Sequence, residues 1–409
     1  MKSKITVLAA AAVAAVQVSA ATTEQQEKEP GYTIGEKLTL LPYVNVSYTF
    51  DSNVDRARHS SKGGYFLINP GLDIKYNDKK GTTLNTRFFY SHSFYTKYNG
   101  ALKHDNFGES IDFSKTTPGA KEGWTLTLSQ RYHQINSRDS WTLEDGRGVW
   151  RDREQLNFAG NLQRRFSQKF HASILGQYDF LDYRRTNNDF ANLYGWQRWS
   201  VGGQVGHYIG LMSDFLLAGT YSHFQQKGSK VGSIRNDSDA WTVHVGLGST
   251  APVGDNTDAN ARKLTYRATV GASGVKYGRS RSSKSFTYSL SASYKITDRL
   301  NFAASGNSYY HPSETTKGAC QKTYAISAGF GYKFTDKFTG TIDGAYRYTD
   351  RTCSVGPAMD NYHLWSGRLG VNYSLCRWIS VYARTEFQDG NSYYNHSRYR
   401  GTIGMRFQY

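Results

Sequence analysis

The last eleven residues of the chain, 399–409, alternate between apolar and polar side chains without interruption. One set contains Tyr409, Phe407, Met405, Ile403 and Tyr399, and the other contains Gln408, Arg406, Thr402 and Arg400. Successive side chains of a β-strand point to opposite faces, so this segment has one apolar face and one cationic face. An alternating strand of about ten residues is the spanning unit of a transmembrane β-barrel.

The apolar set of this strand ends the chain on an aromatic residue. Ile403, Met405, Phe407 and Tyr409 resemble the C-terminal recognition strand that the bacterial barrel-assembly machinery reads. The resemblance implies that this machinery is a partner of the chain and that these four residues act as its assembly signal.

The N-terminus has the features of an export signal. Lys2 and Lys4 precede an Ala/Val-rich apolar run over 5–18, and small residues favour cleavage before Ala21. A first transmembrane helix is the alternative, but the run is short and contains Gln17. We therefore predict a signal peptide over 1–20, a flexible periplasmic leader over 21–36 and a single barrel domain over 37–409.

The composition excludes a helical membrane protein. Mean hydropathy is −0.63, and beyond the signal no stretch approaches the roughly 18 apolar residues that a spanning helix needs. A barrel needs no such stretch, because only alternate residues meet lipid. The 31 Tyr, 21 Phe and 40 Gly against 7 Pro suit strands that meet a membrane interface.

The two-residue period recurs from Leu38 to the end, which predicts an all-β, antiparallel transmembrane barrel. Short turns are predicted near 77–81, 167–169, 210–213, 297–299, 335–337 and 375–378. Longer polar loops are predicted near 51–63, 97–108, 137–149, 185–194, 227–238, 312–321, 349–361 and 388–396. The pattern gives about 18 strands, with 16 as the alternative because the strands near 106–115 and 238–250 are weakly patterned. Barrels of this size enclose an aqueous lumen.

The chain is strongly basic. Its formal net charge is +17, and cleavage would remove Lys2 and Lys4, leaving +17 − 2 = +15. Such an excess indicates an anionic partner: nucleic acid, acidic lipid or polysaccharide. Export across the inner membrane argues against nucleic acid, so outer-membrane lipid and an anionic solute or polysaccharide remain.

The alternation assigns the charged residues of the last strands to the lumen face. The predicted basic track consists of Arg347, Arg368, Arg384, Arg398, Arg400 and Arg406, and the accompanying acids are Asp343 and Glu386. Arg368, Arg384 and Arg400 lie at similar distances along their strands, so a suitable register would stack them as a ladder of like charge about 4.8 Å apart. Either local pairing with Glu386 or Asp343 absorbs this charge, or the track attracts passing carboxylate, sulfate or phosphate groups.

The three cysteines leave their pairing open. Cys320 and Cys353 fall in outer loops of consecutive predicted hairpins, where a disulfide would join the two loops. Free thiols, or loops out of reach of each other, are the alternative. Cys376 lies in a short turn and is expected to be unpaired.

The sequence offers little for catalysis or metal binding. The 11 His residues are scattered, and none stands at metal-ligand spacing from Cys, Asp or Glu. His223 or His311 could belong to a rim active site, but solvated loop histidines are the simpler interpretation. Asp51-Ser52-Asn53 lacks the spacing and the bidentate Glu of a calcium loop. We therefore predict no metal, no cofactor and no enzymatic activity.

One stretch near the start resembles a known family. Phe50-Asp51-Ser52-Asn53 ends one strand, and Asn69-Pro70-Gly71 lies within the next. This pairing, over about 38–76, is similar to the outer-membrane β-barrel porin family often encoded with exopolysaccharide or capsule genes. The resemblance implies a large barrel and passage of surface polysaccharide, and it brings no catalytic residues.

The sequence thus favours a porin-like channel in the outer membrane of a Gram-negative-type bacterium. Hydrophilic, anionic solutes or surface polysaccharide would pass through its basic lumen. The alternatives are a barrel enzyme with a rim active site and a surface adhesin or structural barrel. An enzyme would need a constellation at the rim, and an adhesin would be expected to have longer outer loops.

Overall fold

The computed structural model describes most of the chain beyond residue 30. The described residues are 31–52, 62–96, 104–117, 123–137, 151–167, 169–183, 195–210, 213–226, 237–249, 263–277, 282–312, 320–350, 361–391 and 396–409. The predicted signal peptide, most of the predicted leader and most of the predicted outer loops lie outside these ranges.

The described chain forms nineteen strands in one antiparallel sheet. They are β1 Tyr32–Ile34, β2 Leu38–Asp51, β3 Gly63–Asn77, β4 Thr82–Tyr95, β5 His104–Thr116, β6 Gly123–Ser137, β7 Arg151–Arg165, β8 Phe170–Tyr183, β9 Trp196–Gly210, β10 Ser213–Gln226, β11 Asp237–Ser249, β12 Leu264–Tyr277, β13 Ser282–Lys295, β14 Leu300–Pro312, β15 Cys320–Lys333, β16 Phe338–Asp350, β17 Tyr362–Cys376, β18 Ile379–Asn391 and β19 His396–Gln408.

The sheet closes on itself because the last strand pairs with the first long one. Each strand from β2 to β18 is antiparallel to the next, and β19 returns to β2 with Arg400 opposite Asp51 and Gln408 opposite Tyr43. Nineteen strands less the short β1 leave eighteen in the barrel. The alternative count of sixteen is therefore wrong, since the weakly patterned segments form β5 and β11.

The predicted faces are those of the folded barrel. On β2, Val44, Val46 and Phe50 point outward and are exposed, whereas Thr49 and Asp51 point into the lumen and are buried. The outward face of the other strands is likewise rich in exposed apolar side chains. Within the described residues, no helix is long and apolar enough to span a membrane. Closure gives each of the eighteen barrel strands a paired neighbour on both sides over at least half of its length. Backbone in lipid needs such pairing.

The turns at the proximal end, where β2 begins and β19 ends, share one construction. Thr297 Oγ1 accepts from the backbone N–H of Leu300 at 3.0 Å, and Thr335 Oγ1 accepts from that of Phe338 at 3.0 Å. A short hydroxyl side chain thereby replaces a backbone acceptor in a tight turn. The ammonium of Lys295 lies 2.9 Å from Asp298 Oδ1 and, through this hydrogen bond, lowers the pKa of that carboxyl.

The C-terminal residue anchors the proximal rim. The Tyr409 ring stacks on Trp378 at 4.9 Å between centroids and contacts Tyr32 of β1 at 4.8 Å. Its backbone N–H donates to the carbonyl of Pro42 at 3.0 Å. Residues 32–34, which fall within the predicted leader, thus form a strand against β2; a three-residue segment is too short to reveal its period.

The closing strand generates the first prediction. Deleting Phe407, Gln408 and Tyr409 should prevent barrel formation, because the ends of β18 and β2 would lose their shared neighbour. Heat-modifiable migration on gels reports closure. The control Tyr409→Phe keeps the ring that contacts Trp378 and should migrate as wild type. A truncated chain that still migrates as a closed barrel would contradict this role of β19.

The two faces generate the second prediction. Leu369 lies at the centre of β17, points outward and is 53% exposed. Leu369→Arg should lower the free energy of unfolding in lipid vesicles by about 2–4 kcal/mol, as for a cation near the bilayer midplane. The matched control Ser366→Arg, on the lumen face of the same strand, should cost little. Equal costs in urea titrations would contradict the face assignment.

Candidate functional site

The six predicted track residues all lie on the lumen face. Strand register establishes this, because residues opposite each other across a ladder share a face. The chain of partners runs Asp343 to Arg368, Arg368 to Glu386, Glu386 to Arg400, and Arg400 to Asp51. Arg347, Arg384, Arg398 and Arg406 stand at even steps from these residues along their strands and therefore point the same way.

The register corrects the expected ladder of like charge. Arg368 and Arg400 do lie in one row, but Glu386 stands between them. Arg384 falls two residues lower on β18, where its neighbours are Gly370 and Thr402. The charges in this row therefore alternate in sign, from Asp343 on β16 to Asp51 on β2. The strand boundaries predicted from the sequence did not fix the register, so they could not distinguish this row from a basic ladder.

Distances show that this row is an ion-pair network. Arg368 Nε donates to Asp343 Oδ1 at 2.8 Å. Arg400 Nε donates to Asp51 Oδ2 at 3.3 Å, and its Nη1 lies 3.9 Å from Glu386 Oε2. Arg368 and Arg400 are therefore paired locally with carboxylates, which is the alternative to a track that attracts passing anions.

The most buried pair of the barrel closure is Asp51 with Arg398. Asp51 is 1% and Arg398 4% exposed. Arg398 Nε lies 2.9 Å from both carboxylate oxygens, and its Nη2 also donates to Oδ2. Such fork geometry is strong and directional. Asp51 appeared in the sequence only in a calcium-like triplet and in the Phe50–Asn53 motif, yet it joins β19 to β2. Extending the alternation of β2 by one step beyond Thr49 and Phe50 would have assigned it to the lumen face.

A second cluster of charged side chains lies on the same side of the lumen, closer to the proximal end. Arg87 Nε and Nη2 donate to the two oxygens of Asp73 at 2.6 and 2.9 Å. Arg406 Nη2 lies 3.8 Å from Asp73, and its guanidinium stands 4.6 Å from the centre of the Tyr43 ring. That ring lies across Gly71, where a Cβ would come within 2.4 Å of it. Gly71 of the Pro-Gly motif thus leaves space for the Tyr43 ring, and the Arg406 guanidinium lies over that ring.

The lumen charge does not cancel. On the lumen face of the described strands, every Asp and Glu has an Arg or His within 4 Å: Asp51, Asp73, Asp112, Asp179, Asp214, Asp343 and Glu386. Arg267, Arg347 and Arg384, in contrast, have no carboxylate oxygen within 4 Å among the described residues. The excess positive charge of the lumen therefore resides on unpaired arginines.

One of these arginines lines a niche in the proximal half of the lumen wall. The niche has a volume of about 310 Å³, near the lower end of the range for ligand pockets. Its polar groups come from Asn45, Thr339, Thr341, Asn372, Ser380, Tyr382, Arg384 and Arg406. Two guanidiniums, two amides and several hydroxyls suit a hydroxylated, acidic solute.

Glycine shapes this niche. The Tyr382 ring lies across Gly404, where a Cβ would come within 2.4 Å of Cζ. A side chain at Gly370 would approach Arg384 Cγ to 3.5 Å and Thr341 Oγ1 to 3.0 Å. The Arg384 guanidinium stands 5.5 Å from the Tyr382 ring, so ring and cation form one wall of the niche.

The structure describes two of the three cysteines, Cys320 and Cys376. Cys320 begins β15 and is fully buried. Cys353 lies outside the described residues, so a bond between the two stays a prediction. Cys376 ends β17 as a free, exposed cysteine.

The histidines singled out for a rim active site are not arranged as one. His223 Nδ1 lies 2.8 Å from Asp239 Oδ1, which also accepts from Tyr221. These three side chains are on the outward face, and no Ser, Thr or Cys of the described residues hydrogen-bonds to His223. His311 Nε2 lies 3.0 Å from Thr323 Oγ1, but Thr323 is only 1% exposed. Within the described ranges, no three His, Cys, Asp or Glu side chains are placed to hold a metal.

Comparison with known proteins gives a partial family match. The family profile described as the MetA-pathway of phenol degradation matches residues 230–354, which is less than half of the chain. A search of curated sequences finds no match.

Solved barrel structures resemble the chain at low identity. The copper transporter OprC is 9% identical, with a TM-score of 0.45, over 93% of this chain and 82% of its own. Pseudomonas aeruginosa OccK2 (OpdF), solved with glucuronate, is 10% identical, with a TM-score of 0.45, over 92% of this chain and 99% of its own. The siderophore receptor PirA of the same species is 8% identical, with a TM-score of 0.42, over 90% and 80%. Resemblance at this level does not identify a solute.

The buried pair generates the third prediction. Asp51→Asn should lower the free energy of unfolding by about 3–5 kcal/mol, because Arg398 would remain buried without its carboxylate. The control is Glu36→Gln, which removes an exposed pair with Lys79 at 3.3 Å and should cost at most about 1 kcal/mol. Urea unfolding in vesicles measures both. Equal, small effects would show that closure does not depend on Asp51.

Proposed function

We propose that this chain is an outer-membrane channel of a Gram-negative bacterium that passes hydrophilic, anionic solutes. Three observations support a channel: a closed barrel of eighteen strands, an outward face rich in apolar side chains, and a lumen face lined with polar and charged groups. In this proposal outer-membrane lipid surrounds the barrel, and the barrel-assembly machinery recognises Ile403, Met405, Phe407 and Tyr409.

The observation that carries the anion preference is the imbalance of pairing. Six of the seven lumen acids of the described strands have an arginine within 4 Å, and Asp214 has His171, while Arg267, Arg347 and Arg384 have no carboxylate partner among the described residues. Ion pairs act as dipoles whose fields fall off quickly, whereas unpaired charges act over about a Debye length, ~8–10 Å. A passing solute therefore meets a net positive field.

The niche at Arg384 gives such a solute a place to dwell. An acidic sugar would present a carboxylate to Arg384 and Arg406 and hydroxyls to Asn45, Asn372 and Ser380. The Tyr382 ring offers an apolar face for the sugar ring. Units of an acidic surface polysaccharide carry the same groups, and the resemblance near Pro70-Gly71 points to the same class of cargo.

The niche generates the fourth prediction. In planar bilayers, millimolar glucuronate should interrupt the single-channel current of the wild-type protein, and glucose should do so more weakly. Arg384→Glu should shorten the glucuronate interruptions about tenfold or more, because a hydrogen bond to a charged group contributes roughly 1.5–3 kcal/mol.

The matched control is Arg377→Glu, the same charge change at the proximal turn, where Arg377 stands 4.3 Å from the Trp378 ring. It should leave the glucuronate interruptions unchanged. A reconstituted protein without conductance would refute the channel, and interruptions unaffected by Arg384→Glu would refute the niche.

A further inference from the structure

The barrel wall comes apart between β13 and β14 on the distal half, the half away from both termini. The two strands pair only from Lys295 opposite Asn301 to Ser289 opposite Asn307. On their other sides both ladders continue to the distal end, with Ser282 opposite Lys276 and Pro312 opposite Cys320. The distal half of β13 therefore lacks a ladder partner on the β14 side.

The distal ends of β14 and β15 bend into the lumen, although β15 stays paired with β16 as far as Lys322 opposite Asp350. Along most wall strands outward residues are more exposed than inward ones, but 308–311 and 320–323 are each four consecutive buried residues. Extending the alternation from the outward Phe330 along β15 would put Lys322 outward, yet Lys322 is 1% exposed. We call residues 308–311 and 320–323 the tucked hairpin.

Its contacts place the tucked hairpin inside the barrel. Tyr310 hydroxyl lies 3.0 Å from Ser285 Oγ, and Lys322 Nζ donates to Ser273 Oγ at 2.6 Å. Ser273 and Ser285 are register partners on the lumen faces of β12 and β13. Tyr310 and Cys320 also join a buried apolar cluster with Phe224, Ala240 and Val275, from β10, β11 and β12.

At the proximal end of the split, next to the last ladder pair, side-chain hydrogen bonds join the two strands in place of backbone hydrogen bonds. The backbone N–H of Tyr288 donates to Ser308 Oγ at 3.1 Å, and Ser308 Oγ donates to Thr287 Oγ1 at 3.0 Å. The Tyr288 hydroxyl reaches across Gly306 to the Ala325 carbonyl at 3.2 Å. Hydroxyl contacts of this kind are individually weak and easily exchanged.

The two sides of the split differ in chemistry. On the lumen side lie the hydroxyls of Ser273, Ser285 and Thr287 and the ammonium of Lys322. Ser273, Thr287 and Lys322 are buried between the wall and the tucked hairpin. On the outward side Phe286 is 58% exposed, and Tyr288 stacks near Tyr324 with centroids 6.4 Å apart. A molecule that spans the split would need a polar, acidic head and an apolar tail.

We propose that the β13–β14 split is a lateral route by which an acidic amphiphile moves between the lumen and the outward, lipid-facing side. Lys322 receives the acidic head once the tucked hairpin moves away from Ser273, and the tail leaves past Phe286 and Tyr288. The tucked hairpin sets the width of the route, because its return to the wall would close the split. This activity goes beyond the axial passage of soluble anions proposed above.

Register defines the closed arrangement. Continuing the existing ladder by three steps would place Phe286 of β13 opposite Tyr310 of β14. Lys322 would then point outward beside Asp350, already its partner across the β15–β16 ladder. Both arrangements thus give the Lys322 ammonium a polar neighbour, so neither places this charge in an apolar environment.

Disulfide trapping tests the movement. In a background with Cys320→Ala, Cys353→Ser and Cys376→Ser, the pair Phe286→Cys and Tyr310→Cys should cross-link on oxidation, since opposite strand residues lie about 5.5 Å apart. The control pair Ala292→Cys and Ala304→Cys, opposite each other on the intact part of the ladder, should cross-link readily. Cross-linking of the control pair alone would overturn the proposal.

Photolabelling tests the route. A dodecanoate probe with a terminal diazirine should label the segments 286–288 and 308–310 of the reconstituted protein. Oxidised Phe286→Cys/Tyr310→Cys should lose at least fivefold of this label and regain it on reduction, whereas oxidised Ala292→Cys/Ala304→Cys should lose none. Label spread evenly over the outward face, or label unaffected by the cross-link, would overturn the proposal.

A third variant tests the head group without any cross-link. Lys322→Gln keeps a polar side chain beside Ser273 but removes the positive charge. It should weaken labelling by the dodecanoate probe severalfold and leave labelling by the matching dodecanol probe unchanged. Equal labelling of wild type and Lys322→Gln by dodecanoate would overturn the role of Lys322. Loss of axial conductance alone would bear on the proposed channel and not on this route.

Discussion

The backbone ladder that joins β19 to β2 is the contact on which the rest of the structure depends. Hydrocarbon offers no partner for an unpaired N–H or C=O, so a sheet that spans a bilayer must close on itself. Closure brings residues near the two ends of the chain together, and the buried Asp51–Arg398 pair joins them at the distal end of the seam. The Tyr409 ring, between Trp378 and Tyr32, does the same at the proximal rim.

Closure also determines how charge is distributed inside. Register alternates acids and arginines from Asp343 to Asp51. With Arg398 on Asp51, the three acids of this row face three arginines, so the group is internally neutral. In the proposed channel, the field that a solute meets comes instead from arginines outside this row, such as Arg384 beside Gly370. Ion pairs between neighbouring strands stabilise the barrel wall. In the proposed channel, the arginines without a carboxylate partner are the ones that bind a ligand.

Much of the fold follows from periodicity, because alternation fixes which side chains of each strand share a face. That is why Arg368, Arg384 and Arg400 could be assigned to the lumen from the sequence. Their mutual positions could not, because register depends on turn geometry and barrel shear, and a shift of two residues separates a basic ladder from an alternating row.

The alternation of side chains could not predict the tucked hairpin either. Along β15 the alternation continues through Tyr324 to Lys322 as it would in any wall strand. Only contacts between distant strands, such as that of Lys322 with Ser273, reveal that this end turned inward. The niche at Arg384 is similar, since its walls come from β2 and from β16 to β19 and its space depends on Gly370 and Gly404.

The most direct measurement of the central claim is the reversal potential of the wild-type protein in a planar bilayer under a potassium chloride gradient. Unpaired arginines in a lumen where nearly every acid is paired with an arginine should make the channel anion-selective, with a preference that weakens as salt screens the field. A cation-selective reversal potential, or none distinguishable from a neutral pore at low salt, would contradict it.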